Sequence, residues 1–344
     1  MRGWTAIAAL LVCLCGCGAP TPAAAPRGAV VPVVNRDYFP TLMQMIEGAQ
    51  KTVEFIQLEW HYTPETVGKI QEALRDAGRR GVRVRGLIED HISFNPRSVE
   101  FLVEKFGVDA KLDTPEKMTH NKLFIADGAA VLLGSTNLTH NSMARNNETN
   151  VLIRDTAVAG YFQDYFERLW ADSAEEPDLP PLAAGTVTAF TNRSFLGQVL
   201  PLFDGAKESI RVLMYGISYR AGNAGSSVNR LVEALVAARR RGVGVRVLLD
   251  RSDYNEGINE VNERTKAYLE SQGVEVRWDD ERVTSHAKLI IADDAAVVGS
   301  YNWGRDAMDR RNECGVLLTD PYARDYFIRY FDTLWEGKPW PRGG

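Results

Sequence analysis

The chain has 344 residues, enough for two domains of about 150 to 170 residues each. Its composition, 45% hydrophobic and 25% charged, argues against a disordered chain and against a protein with many membrane spans. The net charge of −5 excludes a global basic field of the kind that attracts nucleic acids, although a local basic groove is compatible with it.

The N-terminal segment has the layout of a secretory signal, with a basic residue, an apolar stretch too short to span a bilayer, and small residues. Leu14 to Cys17 resembles a bacterial lipoprotein box, so residues 1–17 are interpreted as a lipoprotein signal peptide and Cys17 as the lipidated residue. The Ala/Pro-rich residues 18–30 are typical of a tether. We therefore expect a protein of the bacterial cell envelope, lipid-anchored with the outer membrane favoured, or secreted. A plain signal peptide with incidental cysteines is the alternative.

Two stretches further along the chain repeat each other. Thr119 to Asp127 matches Ser285 to Asp293 in an H-x-K-x4-D pattern, and each copy continues with Gly-Ser-x-Asn and then Asn-Glu. The interval from the motif Asp to the Gly is six residues in the first copy and five in the second, which predicts a shorter hairpin there. The matched polar residues are His120, Lys122, Asp127, Ser135, Asn137 and Glu148 in the first copy and His286, Lys288, Asp293, Ser300, Asn302 and Glu313 in the second.

Each copy alternates apolar strands with helical patterns, which is typical of an α/β fold. The Pro-containing stretch 175–185 is interpreted as a linker between two halves, 31–174 and 186–344. Both halves end in a matching aromatic segment, Tyr161 to Trp170 and Tyr326 to Trp335. The helical spacing of these aromatic residues predicts amphipathic helices that pack in the core.

The repeated motif has the groups that cleave a phosphodiester. Side chains alternate along a strand, so the His and Lys of each copy project to the same side. A neutral His can attack phosphorus and form a covalent phosphohistidine, while a protonated His donates to the leaving oxygen. The Lys and Asn side chains would stabilise the phosphoryl oxygens. No H-E-x-x-H or clustered Cys/His pattern is present in the sequence, so we expect a metal-independent reaction without a cofactor.

The duplicated motif resembles the HKD signature of the phospholipase D superfamily, and the likeness extends over roughly residues 30–338. It implies two repeated α/β/α sandwich halves that face each other and build one active site at their interface. It also implies that His120 is the nucleophile and His286 the general acid/base, with the reverse polarity left open by the similarity of the halves. Glu148 and Glu313 would each accept a hydrogen bond from the second nitrogen of a catalytic His.

The resemblance implies supporting roles for the other matched residues. Ser135 and Ser300 would line the site, whereas Asp127 and Asp293 would hold local structure. The expected activity is phospholipase D-like hydrolysis of glycerophospholipids to phosphatidic acid and a free headgroup by a monomer. The alternatives are a cardiolipin synthase-like phosphatidyltransferase and an extracytoplasmic endonuclease, nucleic acid being the less favoured substrate. A noncatalytic binding lipoprotein is disfavoured because the His and Lys of both copies are intact.

Several residues outside the repeat are weaker candidates. Three histidines have no repeat partner and are expected to be incidental, the one after the first Asn motif being the closest to substrate. Three aromatic residues, two in the first half and one in the second, end or follow the first predicted strand of their half. They would either line a headgroup pocket or pack against neighbouring side chains. The one cysteine beyond the N-terminal segment lies in an apolar run and is expected to be buried. These residues are His61, His91, His140, Trp60, Tyr62, Tyr215 and Cys314.

Overall fold

The computed structural model describes Met1 and residues 29–177, 179–252 and 255–341. Residues 2–17 of the predicted signal peptide, which include Cys17, and residues 18–28 of the predicted tether lie outside the described residues. Within the described ranges, none of the helices has the length and apolar character needed to cross a membrane.

The first half forms a seven-stranded sheet in the order β1-β7-β6-β5-β2-β3-β4. The strands β2, β3 and β4 are parallel to one another, and the other neighbouring pairs are antiparallel. The strands are β1 Val30–Val34, β2 Thr52–Gln57, β3 Arg83–Ile88, β4 Asp109–Leu112, β5 Lys122–Ala126, β6 Ala130–Gly134 and β7 Thr149–Ile153.

The second half forms a sheet with the same order and one added edge strand, β12-β11-β10-β13-β14-β15-β9-β8. Strand β8 lies inside the predicted linker 175–185 and pairs with β9, so the last residues of that stretch belong to the second sheet. The strands are β8 Leu182–Ala184, β9 Val187–Thr191, β10 Ser209–Met214, β11 Gly244–Leu249, β12 Glu275–Trp278, β13 Lys288–Ala292, β14 Ala295–Gly299 and β15 Cys314–Leu318.

Helices connect the parallel strands and close each half. Short 3-10 turns at Asn35–Asp37 and Asn192–Ser194 follow β1 and β9, and a π-helical turn at Pro64–Gly68 precedes α2. The α-helices are α1 Tyr38–Gly48, α2 Lys69–Arg79, α3 Asn95–Phe106, α4 His140–Ala144, α5 Thr156–Ala171, α6 Phe195–Gly205, α7 Ser227–Arg240, α8 Glu256–Ser271, α9 Arg305–Asp309 and α10 Pro321–Trp335.

The core consists of three apolar clusters arranged as layers. One cluster lies between the first sheet and α1, α2 and α3, and another between the second sheet and α6, α7 and α8. The third is shared by both sheets and contains the aromatic faces of α5 and α10. Both faces of each sheet are therefore covered, which explains why β5 and β13 are buried along their whole length. The predicted α/β/α halves are confirmed, and the two aromatic segments are the core helices expected.

The motif aspartates end the strands that carry the motif. Asp127 and Asp293 have positive φ values of 56° and 42°, which an aspartate tolerates better than most residues. The turn between β5 and β6 has three residues, and the turn between β13 and β14 has two. The second hairpin is therefore one residue shorter, as the sequence predicts.

Candidate active site

The two H-x-K motifs lie where the two halves meet. The backbone N–H of His120 donates to the carbonyl of Asn312 at 2.8 Å, and the N–H of Asn312 donates to Met118 at 3.0 Å. The equivalent contact from the other side joins the N–H of Asn147 to the carbonyl of Thr284 at 2.8 Å. The segment before each motif His thus pairs with the segment before the Glu of the opposite half.

Each motif lysine donates a hydrogen bond to the backbone carbonyl of its own histidine. Lys122 Nζ donates to the carbonyl of His120 at 2.7 Å, and Lys288 Nζ donates to the carbonyl of His286 at 2.5 Å. All four residues are buried, with at most 8% of any of them exposed. Burial lowers the pKa of Lys122 to about 8 and that of Lys288 to about 7.

Each histidine is held by a carboxylate from the other half. His120 Nδ1 lies 3.0 Å from the carboxylate of Glu313, and His286 Nδ1 lies 3.1 Å from that of Glu148. With Nδ1 hydrogen-bonded to the carboxylate, Nε2 of each ring is left for attack or proton transfer. The sequence identified both glutamates, but the exchange of partners between halves is visible only in the structure.

The two His–Glu pairs differ electrostatically. Burial lowers the pKa of both histidines, but the charge of Glu148 opposes this at His286. Burial acts to raise the pKa of the Glu148 carboxylate, but the nearby His286 and Lys288 outweigh it and hold this pKa below its ordinary value. Burial raises the pKa of Glu313 to about 8 in spite of Lys122. The His286–Glu148 pair therefore favours charge separation more than the His120–Glu313 pair does.

The serines of the repeat support the glutamates. Ser135 Oγ donates to Glu148 at 2.5 Å, and Ser300 Oγ donates to Glu313. Both serines are fully buried and neither lines the cavity described below, so the expectation that they line the site is wrong. They orient the carboxylates that orient the histidines.

The motif aspartates lie at the opposite ends of their strands from the histidines. Asp127 accepts the backbone N–H groups of Gln50, Lys51 and Thr52 at 2.9, 2.6 and 2.9 Å. Asp293 accepts those of Lys207, Glu208 and Ser209 at 2.7, 3.1 and 2.8 Å. Both aspartates therefore tie the motif hairpin to the start of the neighbouring strand and do not line the cavity.

A cavity of about 650 Å³ opens over the histidines. Both histidines line it, together with Asn137 and Asn302, whose side-chain oxygens have no hydrogen-bond partner among the described residues. Within the same residues, no group of three or more His, Cys, Asp and Glu side chains is arranged to hold a metal ion. The cavity walls come from both halves and include Glu59, His61, Phe94, Arg145, Tyr215, Asn255 and Arg282.

The structure sorts the weaker candidates. His61 and Tyr215 line the cavity, whereas His140 does not, so the expectation that His140 is the closest of the three histidines to substrate is wrong. His91 is bound to Glu89 at 2.5 Å, and Trp60 is fully buried. Cys314 is also buried, which raises the pKa of its thiol to about 11.

Two asparagines that the sequence pattern did not identify hold the glutamates in place. Asn35 Oδ1 accepts the N–H of Glu148 at 2.8 Å, and Asn192 Oδ1 accepts the N–H of Glu313 at 3.0 Å. Each oxygen also accepts a tyrosine hydroxyl from a core helix of the other half, that of Tyr330 for Asn35 and that of Tyr165 for Asn192. An Asn-Arg pair after the first strand of each half was the available signal.

Buried acids under the motif strands were also missed. Glu89 accepts the N–H of Thr119, and Asp250 accepts the N–H of Ser285 at 2.7 Å, so each acid holds the residue before a motif His. Each has an acidic neighbour at the end of the adjacent strand. Burial, followed by the charge of Glu89, raises the pKa of Asp113 to about 8, and burial with the charge of Asp279 raises that of Asp250 to about 7. The shared feature is an acid after both parallel strands β3 and β4, and after β11 and β12.

Known proteins resemble this chain in sequence over part of its length. The chain is 29% identical over 134 residues to the mitochondrial cardiolipin hydrolase of Xenopus laevis, which is 39% of this chain and 61% of that protein. It is 30% identical over 131 residues to the phospholipase D of Rickettsia prowazekii, covering 38% of this chain and 63% of the relative. The chain thus matches less than two thirds of the length of these relatives.

The fold also matches a solved structure over most of both chains. The phosphatidylserine synthase of Haemophilus influenzae Rd KW20 superposes with a TM-score of 0.70, covering 90% of this chain and 86% of its own, at 12% identity. That likeness shows the fold alone. The family model described as "Cardiolipin synthase, PLD-like domain" matches residues 42–170 and again residues 199–335, which includes every motif residue. The chain therefore belongs to the phospholipase D superfamily, whose enzymes act on phosphodiester bonds.

Proposed function

We propose that this protein is a phospholipase D-like phosphodiesterase that hydrolyses glycerophospholipids to phosphatidic acid and a free headgroup. One observation carries the proposal: two histidines from different halves line one cavity, each bonded through Nδ1 to a carboxylate of the opposite half. Two oriented imidazoles meet the need for a nucleophile and a separate proton donor.

The proposed reaction has two steps. Nε2 of neutral His120 attacks phosphorus and the bond to the headgroup oxygen breaks, while protonated His286 gives its proton to that oxygen. The product of this step is a phosphatidyl group on His120. In the second step, neutral His286 takes a proton from water, the water oxygen attacks phosphorus, and the bond to His120 breaks. Lys122 and Lys288 offset the negative charge of the phosphoryl oxygens.

The difference between the two pairs supports this polarity. Glu148 has a lowered pKa and keeps its negative charge beside His286. Burial lowers the pKa of His286, but this charge opposes the effect, so His286 is the more readily protonated of the two histidines. Glu313 has a pKa raised to about 8 by burial, and the pKa of His120 lies well below its ordinary value. A neutral ring is the form that can attack phosphorus.

A phosphatidyltransferase is the second candidate function. It is favoured by the matching family description, which names cardiolipin synthase. In that case an alcohol replaces water in the second step, and the same two histidines act. The balance between hydrolysis and transfer is therefore a property of what enters the cavity after the headgroup leaves.

We also propose that the protein is anchored in the bacterial envelope through lipid on Cys17. The support is the lipoprotein-like run that ends at this residue and the Ala/Pro-rich segment that follows. Expression with a radiolabelled fatty acid tests it. Label that appears in the wild-type protein and is lost from Cys17→Ala is expected, and an unlabelled wild type would refute the anchor.

The test of the activity uses the full chain in a non-substrate detergent with EDTA present. Mixed phospholipids, phospholipids with an added alcohol, and DNA are supplied separately, and the products are identified by mass spectrometry. Phosphatidic acid formed by the wild type and not by His120→Ala or His286→Ala supports the hydrolase. Headgroup-exchanged lipid in place of phosphatidic acid supports the transferase. Cleaved DNA with unchanged lipid contradicts both and indicates an endonuclease.

A further inference from the structure

An exposed aromatic surface lies beside the catalytic cavity. Apart from Met1, four large apolar side chains of the described residues are exposed, and three of them, Tyr62, Phe101 and Val103, belong to α3 and the segment just before the π-helical turn. The exposed fractions of Tyr62 and Phe101 are 47% and 37%. Their rings are in edge contact, with centroids 5.8 Å apart. We call Tyr62 and Phe101 the aromatic rim.

The aromatic rim is continuous with the catalytic cavity. Tyr62 and Phe101 line a groove of about 550 Å³ that shares His61 and Phe94 with the cavity over the catalytic histidines. The rings of His61 and Phe94 are themselves in edge contact at 4.8 Å. A ligand that occupies the cavity and extends past Phe94 therefore enters the groove.

The fold does not require this exposure, because the equivalent two rings of the second half stack on each other and are held by hydrogen bonds. Asn95 and Asn262 make the same backbone contacts in the two halves, and six residues after each lie Phe101 and Tyr268. Tyr268 stacks on Tyr219 with centroids 4.0 Å apart. Both of these hydroxyls donate to Glu233, at 2.6 and 3.2 Å. Among the described residues of the second half, none has an exposed ring at this place.

We infer that the aromatic rim is the surface that contacts a phospholipid layer while the phosphodiester of one lipid enters the cavity. This inference rests on the proposed function. A tyrosine ring, with an apolar body and a polar hydroxyl, favours the boundary between water and acyl chains, and a phenylalanine ring packs on the apolar side of that boundary. The occupant we assign is a zwitterionic phospholipid surface. Two acids and one base, Glu100, Glu104 and Arg97, also line the groove, and their net negative charge disfavours a polyanion such as a nucleic acid backbone.

The test compares a lipid surface with a small soluble diester. The full-length double variant Tyr62→Ser, Phe101→Ser is assayed on dioleoylphosphatidylcholine vesicles mixed with phosphatidylethanolamine and, separately, on bis(p-nitrophenyl) phosphate. Tyr322→Ser is the matched control, because Tyr322 is 54% exposed on α10 and does not line either cavity. All chains have the same N-terminus, so an anchor contributes equally to each.

We expect the double variant to lose at least about tenfold of its activity on vesicles, the factor that corresponds to about 1.4 kcal/mol. Its activity on the soluble diester, which also reports correct folding, should stay within about twofold of the wild type, as should both activities of Tyr322→Ser. Unchanged activity on vesicles, or an equal loss on both substrates, overturns the inference.

A third substrate, single-stranded DNA, tests the remaining explanation, in which the two rings bind nucleic acid. A double variant that loses cleavage of DNA and keeps its activity on vesicles would show that the rings stack on bases, which also overturns the inference. The wild type decides the proposed function on its own: if it cleaves the soluble diester and no phospholipid, the proposed function fails, and the inference with it. Wild-type lipid cleavage without an effect of the substitutions refutes the inference alone.

Discussion

Nδ1 of His286 lies 3.1 Å from the carboxylate of Glu148, although the two residues belong to different halves of the chain and are 138 positions apart. The mirror contact, between His120 and Glu313, spans 193 positions. Each half therefore supplies the carboxylate that selects the tautomer of the other half's histidine. The two His–Glu pairs therefore form one interdependent site.

The Glu148–His286 contact predicts that Glu148→Gln slows catalysis from the opposite half. An amide keeps the size of the side chain but cannot stabilise a charged imidazole, so we expect kcat to fall about 10- to 100-fold with little change in KM. Steady-state kinetics on a soluble diester measure this. The control is Glu47→Gln on the outer helix α1, which leaves the site untouched and should be neutral. A wild-type kcat in Glu148→Gln would contradict the orienting role.

Substitution of either histidine should abolish turnover. His120→Ala and His286→Ala each remove one of two groups that the reaction requires, so we expect losses of at least about 10³-fold with an unchanged thermal melting profile. His140→Ala is the matched control, because His140 does not line the cavity. Substantial activity in either variant would refute the shared site.

The covalent intermediate should form on His120. His286→Asn leaves the nucleophile in place and removes the group that activates water, so substrate with a good leaving group is expected to accumulate phosphorylated protein. Denaturation at alkaline pH, which preserves phosphohistidine, followed by peptide mass spectrometry locates the group. A modified His286 in His120→Asn, with no modification in His286→Asn, would reverse the polarity.

The lysines predict weaker anion binding at alkaline pH. Burial lowers the pKa of Lys288 to about 7 and that of Lys122 to about 8, so both are charged at pH 6 and both lose their protons as the pH rises towards 9. Sulfate keeps its charge over this range. We expect its affinity, measured by calorimetry, to fall at least about tenfold from pH 6 to pH 9. Lys288→Met should bind sulfate weakly with a flatter pH profile, and a flat wild-type profile would contradict the assignment.

Asp127 should matter for stability and not for chemistry. Its carboxylate accepts three backbone N–H groups, and Asn tolerates the same positive φ but accepts them more weakly. We expect Asp127→Asn to lower the free energy of unfolding by about 1–2 kcal/mol and to leave kcat/KM within about twofold. Urea unfolding and diester kinetics measure the two quantities. A large loss of kcat/KM in the folded variant would show that Asp127 acts in catalysis.

Asp113 predicts a stability change with pH. Its pKa is raised from 3.8 to about 8, so its contribution to stability is fully present below about pH 4 and is lost as the pH rises towards 8. Asn cannot ionise, so the melting temperature of Asp113→Asn relative to wild type should rise between pH 5 and pH 8.5 by about 3 °C. Asp109→Asn, which removes an exposed carboxylate of β4, should show no such trend. An equal difference in melting temperature between Asp113→Asn and the wild type at both pH values would contradict the raised pKa of Asp113.

The repeat made the fold predictable from the sequence. Strands and helices that occur twice in the same order support each other, and the alternation of side chains along a strand is enough to place each motif His and Lys on one side. The predicted structural role of the motif aspartates and the predicted burial of Cys314 agree with where the structure places these residues. Neither prediction needed to specify a partner: the carboxylate of Asp127 accepts backbone N–H groups of residues 50–52, which lie outside its own hairpin.

Contacts between the halves could not be predicted in this way. Glu148 follows His120 by 28 positions, and nothing in that spacing shows that it faces His286 instead. The same holds for Asn35. The pairing of β1 with β7 brings it to the N–H of Glu148, and it also accepts a hydrogen bond from Tyr330 of α10. Such contacts depend on how the two sheets meet, which is a property of the folded chain.

The joining of the two halves in one polypeptide has a consequence for evolution. A pair of identical subunits with exchanged carboxylates would have the same surface on both sides of its cleft, because one gene would encode both. Here a substitution on one side leaves the other unchanged, while the exchanged glutamates keep the centre matched. The exposed Tyr62–Phe101 pair and the stacked Tyr219–Tyr268 pair are one such divergence. They make the surfaces on the two sides of a pseudo-symmetric site different.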